Sequence, residues 1–138
     1  MSANGLREIA ASIVAGDKGI LAADESTGTI AKRFASIGLE STEEHRRTYR
    51  ELLFTTAGME AYVGGVILYD ETIRQRTTDG VGFAELLASK GVVPGIKVDT
   101  GAQPLAGRPG ETVTEGLDGL RGRLEEYAGL GARFAKWR

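Results

Sequence analysis

The sequence predicts an α/β fold on a parallel sheet, and three features carry that prediction. Short apolar runs recur roughly every 30–45 residues, the spacing of strands joined by helical crossovers. Three of the runs are apolar on successive rather than alternate residues, as in strands covered on both faces of a parallel sheet. Between them lie segments whose apolar residues repeat at three and four positions, the period of a helix.

The chain opens with Leu6, Ile9, Ala10, Ile13 and Val14, one apolar stripe along a helix. A first strand, Gly19-Ile-Leu-Ala-Ala23, ends at Asp24, and Ser26-Thr27-Gly28-Thr29 leads into a second helix near Ile30. Ser41 with Glu44 matches a capping box, ahead of a charged helical stretch carrying Tyr49, Leu52 and Leu53. The second strand, Gly64-Gly-Val-Ile-Leu-Tyr69, ends at Asp70. Asp79-Gly80 marks a turn before a short helix with Phe83, Leu86 and Leu87. The third strand, Val92 to Val98, ends at Asp99 and contains Pro94, which cannot donate to a ladder and fits a central strand poorly. Thr112 with Glu115 reads as the cap of a helix bearing Leu117, Leu120, Leu124, Tyr127 and Leu130. Gly119 and Gly122 weaken that helix by about 1 kcal/mol each relative to alanine. Ala132 to Trp137 is mixed in polarity and is the weakest of the four strands. No linker or low-complexity segment divides residues 1–138, and no helix follows the fourth strand, so a single incomplete domain with an open sheet edge is expected.

Composition excludes several classes. The chain has 138 residues, 41% hydrophobic and 26% charged, with a formal net charge of −2. The absence of cysteine rules out disulfides, thiolate metal sites and thiol nucleophiles. A single histidine, His45, removes His-rich metal sites and argues against a Ser-His-Asp triad; it is expected at the surface, with no role. No stretch approaches the roughly 18 apolar residues of a membrane span, and Met1 to Gly5 lack the basic flank and apolar core of a secretory signal. The near-neutral charge predicts neither nucleic acid nor an anionic membrane as partner. The 20 glycines are about twice the usual ~7% share, follow no collagen period, and require a structural explanation.

Polar residues at the C-terminal ends of parallel strands are the candidates for chemistry, because sites in open sheets and barrels gather there. The four ends supply Asp24-Glu25-Ser26-Thr27, Asp70-Glu71, Lys97 with Asp99, and Lys136 with Arg138. If the strands are neighbours, these residues converge on one pocket of mixed charge. Its lysines offer an amine nucleophile or base, and its carboxylate a proton relay. The competing reading is that these are ordinary strand-end charges in surface ion pairs worth about 0–1 kcal/mol. Ser26 to Thr29, with the free N–H groups of the following helix, could cradle a phosphate or act as a plain N-cap. Arg33, Arg46, Arg47 and Arg50 could grip phosphate esters or line a solvated helix face. Trp137 reads as packing rather than as a stacking platform.

A series of ordered matches is more specific than any one motif. Gly19 to Arg33, Thr42 to Arg50, Gly64 to Thr72, Gly95 to Asp99, Pro104 to Gly107, Gly110 to Thr112, Gly116 to Leu120 and Phe134 to Arg138 resemble, in order, the signatures of class I fructose-bisphosphate aldolase. The resemblance runs from about Leu6 to Arg138. It implies a (β/α)8 TIM barrel, present here as an N-terminal half of about four βα units. It implies reversible cleavage of fructose 1,6-bisphosphate to dihydroxyacetone phosphate and glyceraldehyde 3-phosphate through a lysine imine, without metal or cofactor. A sugar-phosphate substrate, a homo-oligomeric whole protein and a cytoplasmic location follow from the same likeness.

By residue, Asp24 resembles the family's first-strand aspartate beside the reacting carbons. Lys97, Lys136 and Arg138 resemble positions that bind substrate and stabilise developing charge. Ser26 and Thr29 resemble hydroxyls near the sugar phosphate, and Arg33 and Arg46 its phosphate-binding arginines. Gly82 stands where proline is usual, which is expected to loosen a turn. The family's imine-forming lysine and assisting glutamate belong to later strands, and none of Lys18, Lys32, Lys90, Lys97 and Lys136 sits in the imine context. Residues 1–138 are therefore expected to be inactive alone. A non-catalytic half-barrel that binds sugar phosphate or a protein partner is the alternative.

Overall fold

The computed structural model describes residues 3–138, with side chains from Gly5 onward; Met1 and Ser2, part of the N-terminal stretch read for a signal, lie outside the described residues. Helix α1, Ala3–Ile13, is followed by strand β1, Gly19–Ala23. Helices α2, Thr27–Ala35, and α3, Glu43–Thr55, lead to β2, Val63–Leu68. Helices α4, Asp70–Arg74, and α5, Phe83–Ser89, lead to β3, Val93–Lys97. A two-stranded ribbon, β4 at Gly101–Pro104 and β5 at Thr112–Glu115, precedes α6, Leu120–Gly129, and β6, Phe134–Lys136. The main sheet has the order β1-β2-β3-β6, and every pair in it is parallel. This is the α/β architecture expected, with the sequential strand order of half a (β/α)8 barrel.

The outer face of the sheet is closed by helices. Val66, Leu68 and Ile96 are buried against Phe54 of α3 and Phe83 and Leu87 of α5. The Phe54 and Phe83 rings meet edge to face at 5.2 Å. Full burial of side chains of this size stabilises the fold by about 1.5–3 kcal/mol each.

Two glycines explain part of the glycine excess, because a side chain at either would collide with a neighbour. A Cβ on Gly64 would lie 1.9 Å from the Ile13 carbonyl oxygen, so the end of α1 rests directly on the backbone of β2. A Cβ on Gly95 would lie 2.3 Å from the Phe134 ring, which crosses the face of β3 there. The missing side chains are filled by Ile13 and Phe134.

Pro94 is tolerated in a central strand because of where β6 begins. The Pro94 carbonyl accepts from Arg133 N at 2.8 Å, so its imide nitrogen faces the same neighbour. The β3–β6 ladder starts only at Gly95 and Phe134, one step later, and no ladder donor is lost.

Several expectations are corrected. Thr112 and Glu115 do not cap a helix; they are the ends of β5, which pairs antiparallel with β4. Thr-Val-Thr-Glu is a β-branched run, and Gly107 and Gly110 turn the chain before it with positive φ. Helix α6 starts at Leu120, after Gly119 in the left-handed conformation (φ 68°), so Gly119 costs that helix nothing. The N-cap of α3 is Thr42 rather than Ser41, with its hydroxyl accepting from His45 N at 3.1 Å. His45 is half-buried, with its ring Nδ1 2.7 Å from the Glu40 carbonyl. Trp137 is 40% exposed.

Candidate functional site

A cleft of about 430 Å³ opens at the C-terminal ends of the parallel strands. Its position follows from register. Leu68 pairs with Ala23 on one side and Ile96 on the other, and Lys97 pairs with Lys136. Asp24, Tyr69, Lys97 and Lys136 therefore end the four strands in one row, and all four line the cleft.

The sheet is curled rather than flat. β1 and β6 are its two edges, and in a flat sheet their axes would stand about 14 Å apart. Yet the Lys136 ammonium donates to Asp24 Oδ2 across that distance. The bond joins the first and last strands over the inside of the curve, as the wall of a barrel requires.

The second lysine has its own carboxylate. Lys97 Nζ donates to Asp99 Oδ1 at 2.7 Å and to the Asp99 carbonyl at 2.8 Å. Asp99 has a fully buried side chain and also accepts from Gly101 N at 3.1 Å and Arg138 N at 3.2 Å. Burial opposes ionisation of Asp99, but Lys97 and the two backbone N–H groups outweigh it, and the carboxyl titrates below its usual range. The two lysines thus stand side by side, each donating to a carboxylate rather than facing only the other.

The β1–α2 connection forms the opposite lip. Ser26 caps α2, accepting from Thr29 N at 3.4 Å, and its hydroxyl lies 3.1 Å from Thr29 Oγ1. Cap and hydroxyl pair therefore coexist, and both face the cleft. Arg33, one turn on, is 57% exposed and pairs with Glu25. The remaining face of Glu25 meets Arg50, at 3.0 Å.

Of the residues singled out from sequence, Asp24, Glu25, Ser26, Thr29, Arg33, Lys97, Asp99, Lys136 and Arg138 line this cleft, whereas Thr27, Arg46, Arg47, Arg50, Asp70 and Glu71 do not. The Arg46 guanidinium donates along one edge to both Glu71 carboxylate oxygens, at 2.7 and 2.8 Å, and its other terminal nitrogen donates to the Ser41 carbonyl at 2.6 Å. Nor is the charged stretch of α3 a solvated face. Arg46 and Arg50 are buried, and Arg47 donates to Glu51, which in turn holds Thr78. Tyr69 and Thr100 line the cleft without having been read from sequence; Tyr69 closes an apolar run and is recognisable only through register. Among the described residues, no group of three or more His, Cys, Asp or Glu is placed to hold a metal ion. No described helix is long and apolar enough to cross a membrane.

Comparison with known proteins places these features in a family. The model of the family described as "Fructose-bisphosphate aldolase class-I" matches residues 5–138. A protein of Xanthomonas axonopodis pv. citri named "Probable fructose-bisphosphate aldolase class 1" is 67% identical over the whole chain, which covers 41% of that protein. A cytosolic fructose-bisphosphate aldolase of Arabidopsis thaliana is 62% identical over 88% of the chain and 34% of its own length. Among solved structures, a fructose-bisphosphate aldolase from Plasmodium falciparum, in complex with TRAP and a small-molecule inhibitor, superposes with a TM-score of 0.92 at 48% identity. The match takes in 100% of this chain and 41% of that one. The chain thus spans about two fifths of the length of these relatives, and it belongs to the class I fructose-bisphosphate aldolase family.

Proposed function

We propose that residues 1–138 form the substrate-binding and charge-stabilising wall of an aldolase active site, as one incomplete domain of a larger barrel. The reaction is reversible cleavage of fructose 1,6-bisphosphate to dihydroxyacetone phosphate and glyceraldehyde 3-phosphate through a lysine imine. The observation that carries this reading is the Asp24–Lys136 pair across the curled sheet, beside the Lys97–Asp99 pair in the same cleft.

Carbon–carbon cleavage passes a hydroxyl proton to a base, forms a carbonyl and leaves the bonding electrons of the broken bond on the imine half. Fixed cations aimed at the oxygens stabilise that charge movement, and a water-poor cleft strengthens the effect. Lys97, Lys136 and Arg138 supply the cations, and Asp24 orients Lys136 next to the reacting carbons. Ser26, Thr29 and the N-terminus of α2 suit a phosphate ester. Arg33 adds a guanidinium that can leave Glu25 for a phosphate, while Arg46 braces α3 against Glu71. The imine is assigned outside residues 1–138, because the family likeness puts its lysine in a later strand; within this cleft Lys97 and Lys136 both donate to carboxylates. No metal or cofactor enters this scheme. The cytosolic naming of the Arabidopsis relative supports a cytoplasmic location, and a homo-oligomeric whole protein is proposed from family likeness.

The test is a graft in which these 138 residues replace the aligned residues of the Xanthomonas axonopodis relative. The graft is expected to cleave fructose 1,6-bisphosphate, and Lys136→Met within it to lose about 10²–10³-fold in kcat/KM. Residues 1–138 alone are expected to show no turnover. The complex of the Plasmodium relative with TRAP favours a second reading, a half-barrel that binds a protein partner without catalysis. A graft that folds and binds sugar phosphate without turnover would support that reading instead.

A further inference from the structure

Arg50 is the largest of the fully buried side chains, at 1% exposure, and the scheme above gives it nothing to do. Its position in α3 places the guanidinium behind the end of β1. Arg50 Nε donates to the Ala23 carbonyl at 2.9 Å, and one terminal nitrogen donates to the Glu25 carbonyl at 3.0 Å. The same nitrogen reaches Glu25 Oε2 at 3.0 Å. The Tyr49 ring lies 5.5 Å from the guanidinium carbon.

The two carbonyls belong to the residues immediately before and after Asp24. One rigid, planar fork therefore clamps the main chain on both sides of the carboxylate that meets Lys136. Burial pulls the Arg50 pKa down, against the opposing pull of Glu25. Burying a cation is costly unless it is fully paired, so a guanidinium retained here at the end of β1 needs a return other than core packing. Lysine cannot reproduce the arrangement, since its point charge lacks the fork that spans two carbonyls.

We propose that Arg50 is a positioning residue for the reaction, fixing the backbone around Asp24 so that the carboxylate stays aimed at Lys136. Glu25 is its second anchor and links the clamp to Arg33 at the cleft. The proposal rests on the reading of Asp24 as acting at the reacting carbons. It predicts that Arg50 works through Asp24 rather than through general stability.

The test is a double-mutant cycle on kcat in the full-length graft, with Arg50→Lys, Asp24→Asn and both together. Arg50→Lys is expected to lower kcat about tenfold or more with KM changed by less than about threefold. In the Asp24→Asn background the same change should cost less than about twofold. Glu25→Gln, which keeps both main-chain bonds, decides the matter if Arg50→Lys does not accumulate as folded protein. It is expected to lower kcat about threefold in the parent and to have no further effect with Asn at position 24. Equal losses in both backgrounds, or an unchanged kcat in the single variants, would overturn the positioning role while leaving the proposed activity intact. A parent graft without turnover would overturn both.

Discussion

Replacing Gly95 by alanine ties sheet geometry to the site. The added Cβ would meet three atoms of the Phe134 ring at 2.3–2.5 Å, where van der Waals contact between carbons begins near 3.5 Å. The ring must retreat by about 1 Å to restore ordinary contact. Gly95 and Phe134 are register partners, so the strain falls where β6 joins β3, two residues before Lys136. Overpacking of this kind costs about 1–3 kcal/mol. In the full-length graft, Gly95→Ala should lower Tm by about 2–10 °C and reduce kcat, since the β6 strand that presents Lys136 shifts with the ring. Gly122→Ala is the control: nothing lies within 4 Å of its added Cβ in α6, and it should stabilise by up to about 1 kcal/mol. Thermal melts and steady-state kinetics on the two variants suffice. A Gly95→Ala protein as stable and active as the parent would refute the packing argument.

Gly82 was expected to loosen a turn, but its φ of −61° and ψ of 140° already suit proline. Its N–H donates no hydrogen bond among the described residues, because the flanking bonds run from Thr77 N to Val81 and from Phe83 N to Gln75. Gly82→Pro should therefore stabilise by about 0.4–1 kcal/mol, read as a higher denaturant midpoint. Asp99 makes a pH-dependent contribution. Its folded pKa is depressed, so the stabilisation is fully present above the unfolded value of about 3.9 and is lost as pH falls through the folded pKa. Urea titrations of the parent and Asp99→Asn should differ by a constant amount above about pH 5 and converge below about pH 4.

The strands were legible because they are short apolar runs bounded by glycine and ended by an acid or lysine, as in Gly64 to Leu68 before Asp70. Strand ends carry the site, so locating the strands located Asp24, Lys97 and Lys136 as well. What the sequence concealed depends on distant partners. The α3 segment Glu-Glu-His-Arg-Arg-Thr-Tyr-Arg reads as solvated. Its buried arginines are explained only by Glu71, 25 residues away, and by the carbonyls at the end of β1. The β4–β5 ribbon was hidden for a local reason: Thr112 and Glu115 have helix-capping spacing, and their pairing with Pro104 and Gly101 across the turn decides otherwise. Tyr69 enters the site through the register of the sheet, which no local pattern encodes.

The division of labour is tested most directly by locating the imine. Borohydride reduces a lysine imine to a stable secondary amine, so treating the full-length graft with dihydroxyacetone phosphate and borohydride fixes the adduct for peptide mapping. The adduct is expected outside residues 1–138, with Lys97 and Lys136 unmodified. A specific adduct on either lysine would contradict the assignment of this cleft to substrate binding and charge stabilisation.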